Sequence, residues 1–371
     1  MASVQDIINS IERMAPLHLA EDWDNPGLMV GDRTQIVTGI VTSLDPTEAA
    51  VDFAIANDCN LVVTHHPFIF KGIKQIDLNS PQGRIIRKLV KHDIALYSAH
   101  TNLDIANGGL NDMLAERIGL TNVRGFVKTG AERYMKLVTF VPSTHADAVR
   151  TALGAVGAGH IGNYSDCSFS TTGEGRFKGS ADTNPFLSEP GQLEVAEEQR
   201  IETIVSKQQL GKTIKALLAA HPYEEVAYDV YELAGPTKDS YLGRIGELPE
   251  SMNLDEFRDY LQECLPHVIL RFGGVPCESI KTVALCSGGG ADFIGQAAAM
   301  KADVYLTGDV KYHDAQRAKE AGILVADAGH FGTEEIVADG LVVFLREEQE
   351  KEQWGTMNIM AHHEQEDFFF I

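Results

Sequence analysis

Three short runs carry imidazoles and carboxylates just past apolar segments. Leu61-Val62-Val63-Thr64 runs into His65 and His66, and Pro67 then forces the chain out of line. An apolar run stopped in this way reads as a buried strand with two imidazoles at its exit. Neighbouring residues of a regular strand face opposite ways, so the pair can act together only at a frayed end, each ring reaching a different ion. His100 and Asp104 follow a second strand-like run at 94–98, and His330 and Glu334 follow a third at 323–326. Two histidines alone would read as surface residues of a turn. In this company they read as part of a two-metal site.

The donor types narrow the metal. Imidazole and carboxylate suit zinc, manganese, iron or cobalt better than calcium. Glu334 lies four residues after His330, which on a helix puts both on one face, a turn apart. Five protein ligands exceed what a catalytic mononuclear zinc takes and match two ions bridged by a carboxylate. Such pairs stand ~3.5–4 Å apart and activate water for hydrolysis.

Two further features could hold a substrate. Ser287-Gly288-Gly289-Gly290 joins a strand to a helix and could offer free backbone N–H groups to an anion, or be a tight turn and nothing more. Arg84, Arg87, Lys88 and Lys91 recur at helical spacing and make one positive face, read as a solvated helix surface with phosphate steering as the second reading.

The elements that must position these groups alternate. A helix is expected at Val4–Met14, capped by Ser3. The turn-rich stretch 20–28 carries Trp23 and reads most simply as a packed connector, with a role at the edge of a site as the second reading that its spacing does not support. Strands at 40–44, 61–64 and 94–98 alternate with helices at 46–57, 82–92 and 110–118, which implies a parallel sheet with helices on its faces. A second series follows, with strands at 282–286, 304–307 and 323–326 and helices at 291–300, 312–321 and 334–345. Ligands of open parallel sheets collect beyond the carboxyl ends of the strands, where all the candidate metal ligands fall. Between the two series the texture changes. Strands at 133–141, 200–205 and 226–233, helices at 144–156 and 207–220, and an intervening polar Ser/Thr/Gly-rich run read as a ferredoxin-like β-α-β-β-α-β unit. The expected fold is therefore α/β: two similar three-layer halves, 1–129 and 236–371, forming one metal-binding core, with 130–235 inserted as an α+β domain.

Composition sets limits. At 371 residues the chain is long enough for two or three domains with real cores, and 44% of it is hydrophobic. Fifty-three acidic against 31 basic residues give a net charge of −22, which argues against a surface that coats nucleic acid. Five scattered cysteines without C-x-x-C spacing suit a reducing compartment. Asp6 and Glu12 interrupt any signal-like apolar core, and no apolar run approaches the ~20 residues that span a bilayer. A cytoplasmic protein without membrane attachment is expected.

The runs Glu21-Asp22-Trp23-Asp24-Asn25-Pro26-Gly27-Leu28, Thr64-His65-His66-Pro67, His100-Thr101-Asn102-Leu103-Asp104 and Gly329-His330-Phe331-Gly332-Thr333-Glu334 resemble the NIF-three-like family. Its members are often labelled GTP cyclohydrolase type-two homologues and include the YbgI and YqfO proteins. The stretch His221-Pro222-Tyr223-Glu224-Glu225 makes the insertion similar to the CutA/PII-type domain of the longer, YqfO-like members. The resemblance implies two divalent cations per subunit, zinc first, at His65, His66, Asp104, His330 and Glu334, with the glutamate bridging. It places His100 behind the ligands rather than among them. It also implies a toroidal homohexamer and a metal-dependent hydrolase acting on a nucleotide-like or phosphorylated small molecule. The other reading is a non-catalytic metal-binding protein whose insertion senses a small effector.

Overall fold

The computed structural model describes residues 1–187, 189–235 and 237–363. Pro236, expected to follow the insertion's last strand, lies outside them, as does the tail from 364 onward. The described chain is mixed α/β with three sheets, and it divides into two compact units, Met1–Gly130 with Ser240–Ile371 and Ala131–Asp239.

In the larger unit the helix Val4–Met14 forms at the expected residues. The Ser3 hydroxyl accepts from Asp6 N while the Asp6 carboxylate accepts from Ser3 N, and Val4, Ile7, Ile8 and Ile11 are buried along one face. Its first sheet runs in the order Gly27–Val30, Ala95–Ser98, Leu61–Thr64, Gly39–Ser43, Asn358–Ala361. All neighbours are parallel except Gly27–Val30, which is antiparallel to Ala95–Ser98. The second sheet runs Arg271–Gly274, Leu324–Asp327, Val304–Thr307, Ile280–Leu285, Lys238–Met252, Thr121–Glu132. Here three parallel strands lie between the antiparallel edge strand Arg271–Gly274, which precedes them in sequence, and Lys238–Met252, antiparallel to Ile280–Leu285. The strands that lead into the candidate ligands are buried at every residue. That suits parallel strands covered on both faces.

The last helix, Val337–Lys351, departs from the expected layout. Its Val337, Leu341, Val342 and Leu345 join Ile7, Ile40, Leu61 and Tyr97 in the core of the first sheet. The chain then adds Asn358–Ala361 to the open edge of Gly39–Ser43. Helical periodicity reveals an apolar face but not which sheet covers it.

The smaller unit has one antiparallel sheet, in the order Ser168–Lys178, Leu193–Ser206, Tyr134–Pro142, Tyr228–Glu232. The helices Ala146–Ala155 and Leu210–Ala220 bury Val149, Leu153 and Leu217 against Leu137, Val141, Ile201 and Val205. Ser168–Lys178 falls in the polar run that showed no strand. Most of its residues are exposed, so the alternation that betrays a half-buried strand is missing.

Candidate metal centre

His65 follows the strand Leu61–Thr64, and its backbone N–H still donates to Ser43 O at 3.2 Å, which keeps the ring at the carboxyl end of the sheet. The ring is wholly buried, and its Nδ1 bonds the Ala99 carbonyl at 2.8 Å. A carbonyl only accepts, so Nδ1 carries a proton and Nε2 is the atom left to meet a metal; burial disfavours the imidazolium, but Asp104 and Glu334 outweigh it and raise the pKa of the ring. That Nε2 is enclosed and has no hydrogen-bond partner among the described residues. Its nearest acidic oxygens are Asp104 Oδ1 at 3.6 Å and Glu334 Oε1 at 3.8 Å. Donors each bound at ~2.0–2.2 Å to one ion stand on the order of 3–4 Å apart, so these separations fit a shared cation.

The other imidazoles are held in the same manner. His66 meets Asp45 through Nδ1 at 2.7 Å and Glu334 Oε2 through Nε2 at 3.0 Å. His330 meets Asp309 through Nδ1 at 2.8 Å and Glu334 Oε2 through Nε2 at 3.1 Å. His100 meets Asp24 through Nδ1 at 2.7 Å. Fixing one ring nitrogen on an oxygen orients the other, as outer partners of metal-bound histidines do. His330 and Glu334 open and close the short helix His330–Glu334, entered through Gly329 at φ +74°, which places them one turn apart. Three overlapping groups result, each with ligand atoms within 4.8 Å of one another: His65, Asp104 and Glu334; His66, His330 and Glu334; His65, His66 and His100.

Charge in this cluster is shared. Burial disfavours the His66 cation, yet Asp45 and Glu334 outweigh it and push its pKa up to about 10. The bond to Glu334 raises His330 to about 9. Burial works against the Glu334 carboxylate, but three imidazoles hold it well below the usual range, whereas burial raises Asp104. Without a cation the site balances its carboxylates with imidazole protons, which a metal ion would displace.

Comparison with known proteins gives the chain a family. The family model described as Duf34/NIF3 (NGG1p interacting factor 3) matches residues 2–366. The chain belongs to the Duf34/NIF3 family. Relatives within it include a Halalkalibacterium halodurans protein named GTP cyclohydrolase 1 type 2 homolog, 40% identical over 371 residues and covering 100% of both chains. A Bacillus subtilis protein of the same name is 38% identical, covering 99% of this chain and 98% of its own. The solved structure of a Bacillus cereus protein related to NIF3 is 42% identical with a TM-score of 0.85, covering 100% of this chain and 99% of that one.

Several groups are placed differently from their expectation in this family member. The glycine turn is not a set of free amides: Gly288 N donates to Thr333 Oγ1 and Gly290 N to Thr307 Oγ1, both at 2.9 Å, and Ser287 N donates to Asn111 Oδ1. Gly288 instead lets Glu334 approach, since a Cβ there would stand 2.3 Å from Glu334 Oε1. Gly289 has only Asp309 within reach of such a Cβ. Arg84 gives its hydrogen bonds to Glu48 Oε2 and Asn79 O, and Lys88 pairs with Glu48 and Asp52, so part of the basic face is tied to the neighbouring helix Glu48–Ala56. Trp23 is not packed away but 59% exposed, edge-on to His100. Asp24, Asp45 and Asp309 are the partners of the imidazoles, a role not expected for them from the sequence. Asp45 and Asp309 each lie two residues past a parallel strand, so the carboxyl-end rule applied to carboxylates would have found them.

Proposed function

We propose that this protein binds two divalent cations and is a metal-dependent hydrolase of a nucleotide-like or phosphorylated small molecule. The observation that carries the reading is the enclosed, unpartnered Nε2 of His65 facing Asp104 and Glu334. An unpaired buried polar atom is costly, and a cation is the partner this donor set suits. One ion is assigned to His65, Asp104 and Glu334, the other to His66, His330 and Glu334, with the glutamate shared. Zinc is the first candidate; manganese, iron and cobalt suit the same donors. When bound, the ions supply Lewis acidity for hydrolysis. The chain's own part is orientation and exclusion of water. Ala99 O, Asp45 and Asp309 fix the ligand rings, and the burial of His65 and Glu334 keeps solvent from the floor of the site. We assign His100, held by Asp24, to keep or pass a proton beside the ions rather than to bind one.

The finer architecture belongs to the same reading. Residues 1–129 and 236–371 are two similar three-layer halves of one core, a reading supported by the parallel strands next to an antiparallel edge strand in both sheets, four in the first and three in the second. Residues 130–235 form a CutA/PII-like ferredoxin-like insertion, supported by the strand order of the smaller unit. The assembly is a cytoplasmic toroidal homohexamer, without membrane or nucleic-acid partners. Among the described residues no helix is long and apolar enough to cross a membrane.

The relatives named GTP cyclohydrolase 1 type 2 homolog make GTP the first substrate to try. Protein purified without chelator should hold two transition-metal ions per chain and turn over GTP. Chelator and Glu334→Gln should each abolish turnover, and His100→Ala should keep its metal. A single ion at saturation, or loss of metal in His100→Ala alone, overturns the assignment. The second reading, a non-catalytic effector-sensing protein, is favoured by a cavity of about 590 Å³ in the smaller unit. Phe140, Phe177, Phe186 and Tyr223 line it around the buried Glu198. Metal without turnover of any nucleotide would select that reading.

A further inference from the structure

Two large aromatic side chains stand in solvent beside the histidine cluster. Trp23 is 59% exposed and Phe70 44%, and their rings meet with centroids 5.8 Å apart. The indole stands edge-on to His100, centroids 6.1 Å apart and planes at 76°. The His100 ring in turn lies 5.2 Å from His65 and 5.7 Å from His66. A continuous path of rings therefore runs from the candidate metal ligands to the exposed face of Trp23.

This pair is held out, not left loose. Asp24, next to Trp23, accepts from Thr101 N at 3.1 Å and Thr101 Oγ1 at 2.5 Å while its other oxygen meets His100. Those bonds outweigh the cost of burying its carboxylate and bring its pKa down to about 2. Asn25 Nδ2 donates to Ile69 O at 2.5 Å, which ties the loop of Trp23 to the loop of Phe70. Both loops are thus anchored within a residue or two of the exposed rings. Apolar rings fixed in water beside a reactive cluster forgo the burial that the rest of the core obtains, which marks a surface meant to be covered. What covers it must reach the histidines at the same time. A flat heteroaromatic ring stacked on the indole, with its reacting part over His66 and His100, meets both conditions, and stacking of this kind tolerates any base because every base has a π face.

We propose that Trp23, flanked by Phe70, is the stacking platform that selects nucleobase-like substrates at the metal centre. The proposal rests on the metal-centre reading for its location, but its readout is separate. Trp23 is one of two tryptophans, and the other, Trp354, is buried at 5% exposure, so a ligand-dependent change in indole emission reports Trp23. The full-length protein, as purified, is titrated with GTP, adenosine and ribose 5-phosphate while emission is followed, and affinities are measured in parallel by equilibrium dialysis. GTP and adenosine should quench saturably and ribose 5-phosphate should not. Trp23→Leu should lose the quench and weaken GTP binding by roughly five- to a hundredfold at unchanged metal content, with a smaller loss in Phe70→Ala. Ribose 5-phosphate binding should be the same in all three proteins. Equal GTP affinity in Trp23→Leu overturns the proposal. So does an emission change that follows protein concentration and oligomer mass rather than ligand, which would make the pair a contact between copies of the chain. If elemental analysis finds no metal while the quench persists, the metal-centre reading fails and the platform stands.

Discussion

The fit of Gly288 against Glu334 allows a test with a built-in control. At φ +61° Gly288 occupies left-handed backbone space, and an added Cβ would stand 2.3 Å from Glu334 Oε1 and 3.3 Å from His330 Cε1. Gly288→Ala therefore carries two costs. The backbone term for a non-glycine residue there is about 1–2 kcal/mol of folding stability. The steric term falls on the carboxylate itself. Glu334 is enclosed by His65, His66 and His330, so it moves away from at least one of them or the turn moves instead. Disturbing a metal ligand's support costs ~10–100-fold in affinity, or ~1.4–2.8 kcal/mol. Gly289→Ala is the control, because its nearest neighbour would be Asp309 Oδ2 at 3.4 Å, an ordinary contact, with no positive φ. Zinc affinity by competition with a chromophoric chelator, and melting of chelator-treated protein, separate the two terms. Gly288→Ala should lose on both and Gly289→Ala on neither. Unchanged zinc affinity in Gly288→Ala, or equal losses in both variants, would refute the argument that Gly288 exists to admit Glu334.

Further outcomes follow from particular contacts. Glu334→Gln should lower the metal content at both positions, because the one carboxylate meets His65, His66 and His330; retention of two ions under elemental analysis would contradict it. Arg244 is buried and grips Asp112 through Nε at 2.5 Å and Nη2 at 2.8 Å, so Asp112→Ala leaves its guanidinium with backbone carbonyls but no counter-charge and should cost ~3 kcal/mol in denaturant unfolding. A loss under 1 kcal/mol would mean that water reaches the guanidinium. The raised pKa values of His66, about 10, and His330, about 9, leave both protonated at neutral pH without metal. Zinc uptake there should release protons, and zinc affinity should weaken as pH falls below those values. Pulsed zinc in weak buffer with an indicator dye checks this, and the absence of acidification would refute it.

What the sequence determined by itself is what neighbouring residues decide. The Val4–Met14 helix with its Ser3 cap follows from spacing and from a side chain three residues away. The strands that end at Thr64, Ser98 and Asp327, shortly before His65, His100 and His330, follow from apolar runs cut by polar residues, and the family motifs lie in or next to those same short stretches. The grouping of these imidazoles and carboxylates was legible for the same reason: His65, His66, His100 and His330 come within a few residues of the strand ends, and Asp104 and Glu334 lie in the short helices that follow. The tertiary structure decided everything that depends on distant partners. Asp45, Asp309 and Asp24 reach their imidazoles across 21, 21 and 76 residues, and no periodicity encodes such pairings. The Gly288-Gly289-Gly290 turn read equally as an anion cradle or a tight turn, and it took the tertiary structure to bring Thr333 and Thr307 to the amides of Gly288 and Gly290 and Glu334 beside Gly288. Trp23 read as part of a packed connector, and only the tertiary structure shows it exposed, in a loop anchored through Thr101 and Ile69. Local pattern fixes which groups leave the strands; the packing of distant segments fixes which of them meet, because burial rewards any apolar face but selects its partner only through the shape of the whole unit.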